Sequence, residues 1–138
     1  MGSWAEDSFG NDTAVDWAGD FVESGRGLEA VAEALNAVTE EGDDYLDSDL
    51  AAEAIAACEV IARLRGNWGK RSAYSEDLDA WIEANPADVP DALIQQAVKV
   101  LDRIEGENSE LAELWDDGGR NETWHSEIDD LRNGVTGG

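Results

Sequence analysis

Several residue types are scarce in this chain of 138 residues, and each scarcity removes a class of function. There is one cysteine, Cys58, so no intramolecular disulfide can form, and a reducing compartment is the simplest setting. There is one histidine, His125, which rules out the paired Glu-x-x-His ligands of a di-iron bundle. Cations are few: Lys+Arg 9 stand against Asp+Glu 33, giving a net charge of -24 and a pI near 4.1. Bare nucleic acid and anionic membranes are therefore not expected as direct partners, since both are held by Lys and Arg. Sustained period-two alternation is missing, so no strands are predicted. The longest apolar run, from Leu50 to Ala62, carries Glu53 and Glu59 and is too short to span a bilayer. No basic stretch followed by an apolar one opens the sequence, and Glu6 occupies the place where N-myristoylation wants Ser or Thr. The expectation is a soluble, cytoplasmic protein.

What the chain does have is apolar residues at helical spacing. Hydrophobic residues make up 42% of it, enough for a core despite the charge. Asn11 or Asp12 is placed to cap a first helix whose inner face is Ala14, Trp17, Ala18 and Phe21. Gly25 and Gly27 end it, and a second helix turns Leu28, Val31, Leu35 and Val38 inward. A third, capped by Ser48 or Asp49 and running to about Arg65, is apolar around most of its circumference and is predicted to be central. Ser75 starts a short fourth helix with Leu78, Trp81 and Ile82. Pro86 and Pro90 force a connection, after which a fifth helix runs to about Glu105. Ser109 starts a short sixth piece, Trp124, Ile128 and Leu131 share the face of a last helix, and residues 133–138 read as a frayed tail. The predicted fold is all-α, one irregular bundle of six or seven helices around a central Ala-rich helix, with residues 1–138 forming a single domain.

Four constellations invite a chemical reading. Arg63, Arg65, Lys70 and Arg71 gather around Trp68 at a glycine-containing turn, which suits an anion or phosphate, with Trp68 as a stacking surface. The competing reading is helix chemistry: cations at a helix C-terminus complement its dipole and find carboxylate partners. Glu122 and His125 have Glu-x-x-His spacing, which suits a metal on one helix face, against a surface histidine beside the core residue Trp124. The stretch DDYLDSDLAAE lacks the alternating ligands and the sixth-position glycine of a calcium loop. Cys58, on an apolar helix face, reads as a small hydrophobe rather than a catalytic thiolate. No catalytic residue, cofactor or metal site is assigned.

The opening MGSWAEDSFGNDTAVDW, through Met1, Gly2, Trp4, Phe9, Asn11, Asp12, Ala14, Asp16 and Trp17, resembles the N-terminal signature of the bacterial family DUF4259. The later stretch with Ser109, Glu110, Leu111, Leu114 and Trp115 is similar to the same family's second signature. Ala5 and Asp7 depart from the pattern, which has glycines there. The resemblance implies a small, mostly helical, intracellular protein and brings no activity. The aromatics Trp4, Phe9, Trp17, Trp115 and Trp124 read as structural: Phe9 as a staple onto the first helix, Trp4 as an anchor docking the leader, residues 1–11, on the bundle.

The expected function is a non-enzymatic protein-binding module, in the manner of an immunity or inhibitor protein, with an acidic face for a basic partner. Two alternatives stay open. One is a small-anion or nucleotide binder, or an enzyme, using the Arg63 to Arg71 turn. The other is a self-associating structural protein whose acidity is salt adaptation. The oligomeric state is not assigned.

Overall fold

The computed structural model describes residues 12–68 and 75–137, and among these all regular secondary structure is α-helix. The order is α1 (Asp12–Ser24), α2 (Leu28–Glu41), α3 (Ser48–Leu64), α4 (Glu76–Ala84), α5 (Asp91–Glu105), α6 (Glu110–Trp115) and α7 (Glu122–Thr136). The all-α bundle expected from the periodicity is what is found. The docked leader at residues 1–11, with Trp4 and Phe9, lies outside the described residues.

Helix α3 is the axis and touches all six of the other described helices. Every residue from Ala54 to Arg63 is buried, so the helix has no solvent-facing side along this stretch. Its alanines make this possible, because a small side chain lets neighbouring backbones approach from several sides. The other helices present one stripe each, such as Val31, Ala34, Leu35 and Val38 of α2 and Ala97, Val100, Leu101 and Ile104 of α5.

Three local expectations are corrected. The N-cap of α3 is Asp47, not Ser48 or Asp49; its carboxylate accepts the Asp49 backbone N–H at 2.7 Å. Ser75 stands at the N-cap of α4, but its hydroxyl donates to Asp79 Oδ2 at 3.0 Å and caps no N–H. The frayed tail expected over 133–138 is corrected at residues 133–136, since α7 continues to Thr136 with Val135 fully buried; Gly138 lies outside the described residues. Two contacts hold that end down. Gly134 lies so close to α3 that a Cβ placed there would be 3.2 Å from that of Ala62. The Asn67 amide donates to the Gly134 carbonyl at 2.9 Å and to that of Gly137 at 3.3 Å.

The acidic connection between α2 and α3 is fixed from outside. Leu46 and Ser109 form an isolated parallel bridge. Arg103 of α5 donates to the carbonyls of Gly42, Asp44, Glu107 and Asn108, drawing this connection onto the one before α6. One arginine thus satisfies four carbonyls that have no helical partner.

Candidate functional site

The turn after α3 is the foremost candidate from sequence, and the structure places its residues unevenly. Arg63, the penultimate residue of α3, points into the protein, its side chain fully buried. It forms an ion pair with Glu59 one turn earlier and donates through Nε to Asp79 Oδ1 of α4 at 2.7 Å. Trp68 covers it, with the guanidinium 5.9 Å from the ring centroid. Arg65 turns instead toward α7, reaching the Thr136 carbonyl at 3.4 Å, and its Nε is shut off from solvent with no hydrogen-bond partner among the described residues. Lys70 and Arg71 lie outside the described residues. The structure therefore brings Arg63 and Trp68 together, but around the chain's own carboxylates, as the helix-chemistry reading expects.

Trp17, Trp115 and Trp124 pack against neighbouring side chains, while Trp4 and Phe9 lie outside the described residues. Trp17 stacks on Phe21 with centroids 5.3 Å apart, and Phe21 meets the edge of Trp81 at 4.9 Å. Trp115 is partly buried against the core, and Trp124 is almost wholly buried with its ring edge-on to His125 at 4.8 Å.

At His125 the structure departs furthest from the expectation. It is not a surface histidine: only 4% of it is exposed. Its Nδ1 lies 2.7 Å from Glu105 Oε2 of α5, and its Nε2 lies 3.0 Å from Asp116 Oδ2 at the end of α6. Glu122, the other half of the Glu-x-x-His spacing, points outward and pairs with Arg120 at 3.2 Å. The two carboxylates stand at opposite ring nitrogens, so they do not converge with a nitrogen lone pair on one point, as a metal requires. Among the described residues, no group of three or more His, Cys, Asp or Glu is arranged to hold a metal ion.

Burial by itself would lower the proton affinity of His125, but the hydrogen bonds to Asp116 and Glu105 outweigh it and raise it above the ordinary 6.5. Asp116 moves the opposite way. Burial pushes its carboxyl up, while the Asn121 backbone N–H and His125 more than compensate and hold it below its usual range. No sequence signal points to Glu105 or Asp116, because neither is at helical spacing from His125.

Cys58 is fully buried, and burial, then the Glu59 charge, pushes its thiol far above the ordinary range. It packs as a core residue.

One open cleft, of about 300 Å³, lies between α1, α2 and α3, lined by Trp17, Asp20, Phe21, Arg26, Glu33 and Glu53 among others. Arg26 bridges Glu29 and Glu33 on one side of it. On the other side no cation among the described residues is paired with Glu53, whose carboxyl is pushed up by partial burial and then by Asp49, Asp20 and Asp47. The cleft thus joins an aromatic wall to carboxylates that repel one another.

Among the described residues, no helix is long and apolar enough to cross a membrane. A family model described as a domain of unknown function, DUF4259, matches residues 2–127. No curated protein and no solved structure matches the chain.

Proposed function

The chain belongs to the DUF4259 family, and we propose that it is a non-catalytic protein-binding module whose acidic surface receives a basic partner. The observation that carries this reading is the cleft at Glu53. There burial, then the charges of Asp49, Asp20 and Asp47, push the Glu53 carboxyl up beside the partly buried Trp17, which stacks on Phe21. A lysine or arginine of a partner would relieve that repulsion and lie against the aromatic wall. Among the described residues, Arg26, Arg63, Arg103, Arg120 and Arg132 already donate to the chain's own carboxylates or carbonyls and are not paired with Glu53. The net charge of -24 would then steer a basic partner from a distance. The same chemistry suits an inhibitor or immunity protein that fills a basic cleft. An anion site at the Arg63 to Arg71 turn has less support, because Glu59 and Asp79 already face the Arg63 guanidinium.

The test is affinity capture on the immobilised chain and on an Asp20→Asn/Glu53→Gln variant, at about 0.03 M and about 0.3 M salt. Expected is a specific basic protein, retained at low salt, weakened at high salt and lost with the variant. Equal recovery by both chains would overturn the assignment of the cleft. A chain that captures nothing and needs molar salt to stay folded would make the acidity an adaptation instead.

A further inference from the structure

The arrangement at His125 can be satisfied by one protonation state only. An imidazolium donates from both ring nitrogens, and here each nitrogen faces a carboxylate, Glu105 at 2.7 Å and Asp116 at 3.0 Å. A neutral imidazole donates from one nitrogen and turns a lone pair toward the other carboxylate, so a contact that held the two groups together now repels. We propose that His125 is a proton-controlled latch: when protonated it ties the connection between α6 and α7 to α5, and when deprotonated it releases that connection at Asp116.

The release falls on the Asp116 side for structural reasons. Glu105 is gripped independently by Arg132 of α7, at 2.6 Å, and its side chain is 18% exposed against 31% for Asp116. The neutral ring therefore keeps its proton on Nδ1, facing Glu105, and its lone pair faces Asp116. Asp116 also tethers the far end of the connection, since its Oδ1 accepts the Asn121 N–H at 2.8 Å, and Asn121 in turn caps α7 by accepting the Trp124 N–H at 2.9 Å. Between the two stand Gly118 and Gly119, with φ of 86° and 138°, values that side chains disfavour, and a Cβ at either would meet no atom within 4 Å. When Asp116 turns away, residues 116–121 lose their hold while the apolar face of α7, at Trp124, Ile128 and Leu131, stays packed.

The charges around the ring favour the closed state. From α5 come Glu105 and, behind it, Asp102, which shares Arg132; from the end of α6 comes Asp116. Arg120, in the connection, opposes the imidazolium but is paired with Glu122. On α7 itself, Arg132 is engaged by Glu105, Asp102 and Asp129. α3, which also packs on α7, sends Arg65 to its far end at Thr136. Two contacting carboxylates outweigh one neighbouring guanidinium, in keeping with the raised proton affinity of the ring. The latch does not depend on the protein-binding role and stands or falls separately from it.

The test uses the full chain and NMR, where a single histidine gives one unambiguous imidazole titration. Its midpoint is expected above 6.5. Backbone order parameters for residues 117–120 are expected to fall across that same midpoint, from about 0.85 to below about 0.6, while those of α5 and α7 hold. In Asp116→Asn the imidazole midpoint falls and the connection is mobile on both sides of it. In His125→Gln the connection's mobility no longer depends on pH, and should that variant fail to fold, Asp116→Asn decides alone. A wild-type midpoint at or below 6.5, a connection equally ordered on both sides of it, or an Asp116→Asn variant that titrates and moves like the wild type would each overturn the latch.

Discussion

Arg63 on α3 and His125 on α7 each stand buried between two carboxylates, yet only one of these cations can lose its charge. Arg63 pairs with Glu59 of its own helix and Asp79 of α4, in the last turn of α3, the helix that touches every other described helix. A guanidinium cannot be deprotonated in a protein, so a junction built on arginine is permanent. His125 joins three elements near one end of the bundle, with partners from α5 and the end of α6. The geometry is alike and the chemistry of the cation differs, so one junction is a fixed brace and the other a reversible tie.

Breaking the brace should have the largest effect. Arg63→Met leaves Glu59 and Asp79 beside each other without their cation, and removing one partner of such a buried pair costs about 3–5 kcal/mol. Urea unfolding would read this as a fall in midpoint, of similar size at every pH where both carboxyls are ionised. The tie should cost less, because its carboxylates are more exposed than those of Arg63, 18% and 31% against 11% and 9%. His125→Gln loses charge-assisted hydrogen bonds worth at most about 1.5–3 kcal/mol each, and its loss depends on pH. Because His125 has a folded value above its unfolded 6.5, its contribution is complete below 6.5 and disappears as pH rises through the folded value. Asp116 supplies the other boundary: its folded value is below 3.8, so its contribution is present above 3.8 and lost as pH falls through the folded value. The difference in stability between wild type and His125→Gln should therefore shrink toward alkaline pH. A difference that stayed constant there would make His125 a brace like Arg63.

The two regions also differ in how far they can be read from residues alone. The helices and the central place of α3 are legible because burial writes itself into periodicity, and α3 runs apolar on nearly all sides. Arg63 is legible in part: helix-end cations in an acidic chain find carboxylates, and Glu59 at i−4 is local. Its inward direction is not, because that depends on Asp79, 16 residues away on another helix. His125 escapes a sequence reading because both its partners are distant, Glu105 by 20 residues and Asp116 by 9, while the local Glu122 offers a spacing without a contact. The end of α7 escapes it for a similar reason, since Gly134 and Asn133 look like breakers until Ala62 and Asn67 are placed against them.

Cys58 offers a probe on the brace side alone, being the neighbour of Glu59 in α3 and the only thiol in the chain. In the native protein it should resist a thiol reagent until the chain opens, because it is fully buried and its thiol is held protonated. Labelling rates measured at one pH should rise by the opening free energy lost, about tenfold for each 1.4 kcal/mol. Arg63→Met is thus expected to speed labelling by at least about a hundredfold. His125→Gln should speed it less, and release of the connection at alkaline pH should not expose Cys58 at all.

Arg26 completes the comparison at the surface, where one guanidinium again meets two carboxylates, Glu29 and Glu33 of α2. The Glu29 and Glu33 side chains are 73% and 65% exposed, so water and salt screen what the interior does not. Arg26→Gln should leave the melting temperature unchanged at physiological salt and lower it slightly only at low ionic strength, measured by calorimetry at two salt concentrations. The three sites share a stoichiometry and differ in burial and in the cation. A shift for Arg26→Gln as large as that for His125→Gln would mean that the ion pairs matter by number. The expected ranking, Arg63, then His125, then Arg26, means that exclusion of water sets the strength of each junction, and that only at His125 does the cation make that strength adjustable.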